Sequence, residues 1–361
     1  MPSFDPMPVQ SFNGPYEVRF FQSVVEAADG VIQKRPMHII ADKKVLEIHK
    51  SSLSELLESA ACIHEVDALE ENKSIEAIPA LVQRLARVGI RRDHLLLAIG
   101  GGITQDMTCF VASVLFRGID WVFMPTTLLA QADSCIGSKN SINAAGIKNL
   151  VGNFYPPKLI TVGSEFVFTL DERDVRSGIG EMLKVHAIDS PKSFDEIAAA
   201  YEDLFNDYDL MLSFVRRSLL IKRKLIEIDE FDRGPRNVMN YGHSFGHAIE
   251  AATEYAIPHG IAVTMGMDMA NYVAVRLGCF SEGNFKRMHP TLQKNYRNFE
   301  RLPVPIDAFL TALARDKKNI GNDLILILPN AESIIEKVRV SSNQAFQSYC
   351  AEFLDQIRMD L

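Results

Sequence analysis

The sequence predicts an α/β half built on a parallel sheet, followed by a mostly α-helical half. Three observations carry this expectation. Over roughly the first 165 residues, short apolar runs alternate with helical patterns, which is how a parallel sheet with crossover helices reads. One of those runs, "HLLLAIGGG", passes from a buried strand straight into three glycines. After "DERDVRSGIGEMLKVHAI" the pattern changes to long amphipathic segments that continue to about residue 317 with few β-branched runs.

In chain order, "MHIIA" (37–41) reads as a strand and "SSLSELLESAACI" (51–63) as a helix after a serine cap. "SIEAIPALVQRLARVG" has helical spacing and ends on glycine, while "WVFMPTT" and "KLITV" are further strands. "DLILILP" (323–329) and "EKVRV" (336–340) read as a late strand pair inside the helical half. At 361 residues the chain exceeds one ordinary core, and the change of pattern divides it into 1–170 and 171–361.

Composition narrows the class. The chain is 47% hydrophobic and 23% charged, with no apolar run of the roughly 18 to 20 residues that a membrane span needs. The first residues, "MPSFDPMPVQSFNGPYEV", lack the basic start and apolar middle of a signal peptide. A net charge of −8 without a basic run argues against nucleic acid as partner. Five scattered cysteines, never spaced as CxxC, suit a reduced, cytoplasmic chain without a disulfide framework.

Two stretches of the first half carry candidate chemistry. Gly100, Gly101 and Gly102 lie between a buried strand and a helix, where bare backbone N–H groups and the helix N-terminus favour a pyrophosphate. That makes the half Rossmann-like, although the same glycines also suit a tight strand–helix turn. Next, "PTTLLAQADSCIGSKNSINAAGIKNLVGNFYPP" (125–157) sets Asp133, Lys139, Asn143, Lys148 and Asn149 among small residues. A loop of that kind either surrounds an anion with lysines and amides or is a solvated surface loop.

In the second half, "NYGHSFGHAIEAATEYAIPHG" (240–260) holds three of the nine histidines. His243 and His247 are four apart on one helix face, and His259 follows a proline at the start of the next helix. Two imidazoles on one face plus a third histidine or a carboxylate complete a divalent-metal site; singly, each is more simply a buried histidine.

Taken together, these pieces resemble the 3-dehydroquinate synthase family of the sugar phosphate cyclases. The matching motifs run in order: "GGG…D" (100–106), "FRG" (116–118), "PTTLLAQADS" (125–134), "GSKNSIN…KNLVGNFYPP" (137–157), "GEMLK" (180–184), "RNVMNYGHSFGHAIE" (236–250), "HGIAV" (259–263) and "DKKN" (316–319). The resemblance implies a dehydroquinate synthase-like fold, with an α/β nucleotide-binding domain followed by a helical metal-binding domain. It implies Glu181, His243 and His259 as ligands of Zn2+, Co2+ or another divalent metal, with His247 turned to the substrate. Asp42, Glu70, Lys73, Gly101, Gly102, Asp106, Thr126, Thr127 and Lys148 would hold NAD+; "LEENKS" fits the family pattern only loosely. Asp133, Lys184, Lys222, Asn240 and His247 would be catalytic. Lys139, Asn149, Arg236 and Lys317 would bind substrate, with Arg117 reaching across a homodimer interface.

The implied reaction is an internal redox cycle. NAD+ takes a hydride from a ring hydroxyl held on the metal, and the ketone acidifies the neighbouring C–H so that phosphate leaves. The hydride then returns, the ring opens, and an aldol step closes a carbocycle. Three departures bear on the substrate: Gly137-Ser138-Lys139-Asn140 stands where GGK and threonine are usual, Ile261 stands where HGE has its acid, and Gln105 stands where glycine is usual. Against that, Arg236, Asn240 and His247 match the dehydroquinate-forming branch. The deoxy-inosose branch typically lacks the Arg and Asn, and the sedoheptulose 7-phosphate branch the His. The leading expectation is therefore conversion of 3-deoxy-D-arabino-heptulosonate 7-phosphate to 3-dehydroquinate, in the shikimate pathway to aromatic amino acids. The alternatives are a secondary-metabolic cyclase acting on sedoheptulose 7-phosphate or glucose 6-phosphate, a metal-dependent polyol dehydrogenase, or a non-catalytic paralogue.

Overall fold

The computed structural model describes residues 3–32, 34–315, 319 and 323–359. It divides into two compact units, Met1–Asp171 with Leu204–Asp232, and Glu172–Asp203 with Arg233–Leu361.

The first unit runs β1 (Met7–Val9), β2 (Tyr16–Phe21), α1 (Val24–Asp29), β3 (Met37–Asp42), α2 (Lys43–His49), α3 (Ser54–Ser59), β4 (Cys62–Val66), α4 (Ile78–Arg87), β5 (Leu95–Gly100) and α5 (Gly102–Val114). It continues with β6 (Trp121–Pro125), β7 (Lys139–Ala144), β8 (Ile147–Phe154) and β9 (Leu159–Gly163). Seven strands form one sheet in the order β1-β2-β9-β6-β5-β3-β4, parallel except for β1. Every residue of β5, β6 and β9 is buried, as expected of strands covered on both faces. The chain leaves β3 for the edge strand β4 and re-enters on the other side of β3 as β5. That reversal is a topological switch point, so the crevice at the carboxyl ends of β3 and β5 is where a ligand of such a sheet binds. Asp42 ends β3 and Gly100 ends β5, one register step past the Ala41–Ile99 pair.

The second unit comprises α6 (Glu172–Asp189) and α7 (Pro191–Ala199), then, after the return of the chain to the first unit as α8 (Tyr208–Ile228), α9 (His243–Ala252), α10 (His259–Arg276), α11 (Glu282–Asn295) and α12 (Ile306–Ala314). The antiparallel pair β10 (Asp323–Pro329) and β11 (Ile335–Ser341) and helix α13 (Gln344–Asp355) complete it. Helix α10 is the centre: every residue from Gly260 to Ala274 is buried, so it is covered all round rather than on one stripe. No helix among the described residues is long and apolar enough to cross a membrane.

Three sequence expectations change. The predicted helix 51–63 shortens to Ser54–Ser59 because Cys62–Val66 pairs beside β3 as a strand. The glycine-punctuated stretch read as a loop contains an antiparallel hairpin, β7 and β8, turning at Ala145 and Gly146, both with positive φ. Helix α8, expected in the helical half, clusters with the sheet unit, since periodicity fixes an apolar face but not the core it meets.

A column of imidazoles sits in the first unit. His38 on β3 stacks between His94 and His64, with centroids 5.2 and 6.1 Å away, and its Nε2 lies 3.0 Å from His94 Nδ1. Burial, then the neighbouring His94 and His64, lowers the His38 pKa to about 4; burial, then Arg84, lowers His64. The unfolded chain binds these protons near 6.5, the folded chain only at lower pH, so acid favours unfolding across that window. The melting temperature should fall as pH drops from 6.5 towards 4. His38→Gln, which keeps a polar group towards His94 but does not titrate, should flatten that limb. Circular-dichroism melts at constant ionic strength check it; an identical acid limb in the variant would contradict the account.

Candidate active site

At the carboxyl ends of the first unit's strands, Gly101 caps α5 through its backbone alone, without a side-chain hydrogen bond. A Cβ on Gly100 would run into the Thr104 side chain, and one on Gly101 would lie 2.9 Å from Thr127 Cγ2. Thr126 N–H donates to the Gly100 carbonyl at 2.9 Å, tying the β6 end to the glycines. Asp42 accepts from Lys44 N–H at 3.0 Å as the cap of α2, and burial raises its pKa. Bare glycine backbone at a helix start in the switch-point crevice fits a dinucleotide.

Beside this crevice, buried Lys73 gathers three of the predicted residues. Its Nζ lies 3.2 Å from Asp106 Oδ2, 2.9 Å from Asn149 Oδ1 and 3.5 Å from Glu70 Oε1. Burial outweighs Lys73 and pushes the Asp106 carboxyl up to about 6. Glu70 also accepts from Asn143 Nδ2 at 2.9 Å. The resemblance sends Asn149 to the substrate phosphate, whereas its amide here sits with the residues expected at the cofactor. Lys148, with Glu70 and Glu71, lines an open depression on the same side.

A second group in this unit surrounds Asp133. Residues Ala130–Ser134 form a π-helical turn, a form frequent at functional sites. Lys222 of α8 reaches it: its Nζ is 2.8 Å from Asp133 Oδ1 and 2.7 Å from the Asp133 carbonyl. Lys139 opens β7, is 56% exposed, and pairs with Asp232 Oδ2 at 3.1 Å. Arg117 is exposed and, like Phe116 before it, has positive φ. Lys317 lies outside the described residues.

In the second unit, Glu181 and Lys184 are buried on α6, with Lys184 Nζ 2.5 Å from Glu181 Oε2. His243 and His259, the first residues of α9 and α10, turn Nε2 towards Glu181 Oε1 at 3.7 and 3.4 Å. Their Nδ1 atoms are committed elsewhere: His243 to the Tyr241 carbonyl at 3.3 Å, His259 to the Glu250 carboxylate at 3.3 Å. Burial works against the charge on Glu181, but Lys184, His243 and His259 hold its pKa well below the usual range. Burial likewise works against a proton on His259, yet Glu181 and Glu250 raise it to about 10; burial and then Lys184 lower His243. Neither Glu181 oxygen has a well-formed hydrogen bond. A buried carboxylate facing two imidazoles whose other nitrogens are already engaged fits a divalent cation. His247 is exposed, and the ring nitrogens of His243, His247 and His259 lie within 4.8 Å of one another. Arg236, buried, and Asn240 stand in the 3-10 turn Pro235–Asn240, where Asn240 Nδ2 donates to the Asn237 carbonyl.

The chain matches the description "3-dehydroquinate synthase N-terminal" over residues 63–177 and "3-dehydroquinate synthase C-terminal" over 178–319. It belongs to the 3-dehydroquinate synthase family. Within that family it is 33% identical over 320 residues to the 3-dehydroquinate synthase of Clostridium tetani, covering 86% of this chain and 84% of that one. It is 38% identical over 276 residues to the 3-dehydroquinate synthase of Dictyoglomus thermophilum, covering 76% and 77%. The fold also matches a solved 2-deoxy-scyllo-inosose synthase, complexed with carbaglucose-6-phosphate, NAD+ and Co2+, at a TM-score of 0.83 and 22% identity over 97% and 99% of the two chains.

Sequence reasoning overlooked Asp232 and Glu250. Asp232, with φ of 58° and one buried oxygen without a hydrogen bond, is set by the structure on Lys139. Glu250 lies seven residues after His243 on α9, a spacing that could have signalled a shared face.

Glycines set how closely these helices approach. A Cβ on Gly260 would lie 2.6 Å from the Ser177 carbonyl carbon, and one on Gly180 2.9 Å from that of Gly260. Gly260→Ala should therefore destabilise the protein by about 3 kcal/mol or more, at the upper end of overpacking costs. Denaturant titration measures this, and a change below about 1 kcal/mol would show that α6 and α10 part easily.

Proposed function

We propose that this chain is an NAD- and divalent-metal-dependent sugar phosphate cyclase that converts 3-deoxy-D-arabino-heptulosonate 7-phosphate to 3-dehydroquinate and phosphate. The carrying observation is the buried Glu181 carboxylate with two converging imidazoles, in a chain whose relatives are 3-dehydroquinate synthases over most of its length. In this reading Glu181, His243 and His259 hold the cation, and Asp42, Glu70, Lys73, Gly101, Gly102, Asp106, Thr126, Thr127 and Lys148 hold the dinucleotide. When bound, NAD+ supplies a reversible hydride acceptor and the cation a charge that acidifies a hydroxyl.

The chain's own residues supply the rest. Lys184, held on Glu181, is a fixed ammonium that stabilises developing negative charge. Asp133 and Lys222 share a short ion pair through which a proton can be held or passed. Lys139 serves the phosphate and neutralises its charge as it leaves, His247 serves the substrate, and Asn149 stays with Lys73 on the cofactor side. Asn240 orients the ring hydroxyls, and Arg236 takes the carboxylate with its planar fork. A homodimer with Arg117 serving the partner's site is part of the proposal. So is a cytoplasmic setting, which five free cysteines suit.

Two experiments test this. Glu181→Ala, His243→Ala and His259→Ala should each lose bound metal and activity together, whereas His247→Ala should keep its metal and turn over slowly. Metal analysis of the purified variants decides, and an empty His247→Ala beside a loaded His259→Ala would reverse the ligand assignment.

Because the hydride returns to the same molecule, turnover should release phosphate with no net NADH. Arg236→Ala should weaken the acid selectively, since a hydrogen bond to a charged group is worth about 1.5–3 kcal/mol. Phosphate release is measured across 3-deoxy-D-arabino-heptulosonate, sedoheptulose and glucose phosphates while absorbance at the NADH band is followed. Turnover of a carboxylate-free sugar phosphate alone would assign a secondary-metabolic cyclase; stoichiometric NADH would assign a polyol dehydrogenase.

A further inference from the structure

Gln105 lies in the first turn of α5, one residue before Asp106, and is only 6% exposed. Both ends of its carboxamide are spent on one residue. Its Nε2 donates to the Ser134 carbonyl at 2.8 Å, and its Oε1 accepts from Ser134 Oγ at 2.8 Å. Ser134 closes the π-helical turn, in which Cys135 N–H reaches back to the Ala130 carbonyl. Such a turn is rare and persists where its surroundings hold it.

The other hold is visible. Buried Gln131 donates from Nε2 to the Pro125 and Gly163 carbonyls, which fixes the start of the turn to the ends of β6 and β9. Gln105 fixes its end to α5. Asp133 lies between the two anchors with its carboxylate and carbonyl on Lys222. Gly102, the first residue of α5, faces the same serine, since a Cβ there would lie 3.8 Å from Ser134 Oγ. One serine thus links the glycine-rich helix start to the turn that carries Asp133. The resemblance leads one to expect glycine at 105, which has no side chain to make this link.

The geometry points to Gln105 as a positioning residue whose carboxamide clamps Ser134 and thereby sets Asp133 and Lys222 in register with the start of α5. Its kinetic consequence rests on the proposed reaction; its structural one does not. Gln105→Glu keeps shape and acceptor but loses the donor, Gln105→Gly loses both, and Ser134→Ala removes the hydroxyl.

The intact enzyme and these variants are compared by amide hydrogen exchange over residues 130–135, NAD+ affinity, and steady-state phosphate release. Exchange over 130–135 should rise in both Gln105 variants. In Gln105→Gly, kcat should fall about 10- to 30-fold, the worth of two neutral hydrogen bonds, with KM and NAD+ affinity changed less than about twofold. Gln105→Gly combined with Ser134→Ala should cost no more than the worse single change. A variant that melts earlier yet keeps kcat, or exchanges faster without losing kcat, overturns the assignment. Should Gln105→Gly fail to fold, the same criteria apply to Gln105→Glu and Ser134→Ala. Should the wild-type enzyme release no phosphate, the proposed reaction fails on its own. Unchanged exchange over 130–135 would then still overturn the clamp.

Discussion

The backbone contact between α6 and α10 at Gly180 and Gly260 is the constraint on which the second unit depends. Each glycine faces the other helix where any Cβ would strike a carbonyl group. Gly260 N–H donates to the Ser177 hydroxyl oxygen at 3.0 Å, and the Gly260 carbonyl accepts from Thr264, whose hydroxyl oxygen accepts in turn from Asn295. Between α9 and α10 the same device recurs at Gly242, whose φ of 77° turns the chain into α9 and whose absent Cβ leaves 2.6 Å to the Val263 carbonyl. Glu181, His243 and His259 are each bonded to one of these glycines. The side chains that converge are therefore those projected from the points where helix backbones come closest.

That placement carries an electrostatic cost, met locally. Charges out of water must be paired, and a buried pair adds little to stability over apolar packing. Lys73 sits on Asp106, Lys222 on Asp133 and Lys184 on Glu181, all at short range. Each pairing holds its ammonium still.

Much of this was legible in the sequence because period and punctuation report local structure. The buried strand running into glycines, the i, i+4 histidines and the late strand pair all reappear. The hairpin of β7 and β8 escaped because most residues of β8 are exposed, which erases in that strand the alternation of a half-buried one. The two-residue turn at Ala145-Gly146 was its one local signal. Within the site, the pairing of Lys222 with Asp133 spans 89 residues, and no spacing rule reaches so far. The Asp232–Lys139 and Glu250–His259 pairs were overlooked for a related reason: acids beside a motif look like solvated surface until the fold gives them a partner.

The return of α8 to the first unit has a consequence for biosynthesis. The sheet is complete once residue 163 has been made, but Lys222 and Asp232 belong to the same unit and emerge only after α6 and α7 of the other. A nascent chain therefore holds Asp133 and Lys139 without their ion-pair partners while some sixty residues are added. Lys222 arrives with α8, and Asp232 only after that helix has ended. The order of translation thus delays assembly of this part of the site until the second unit is already under construction.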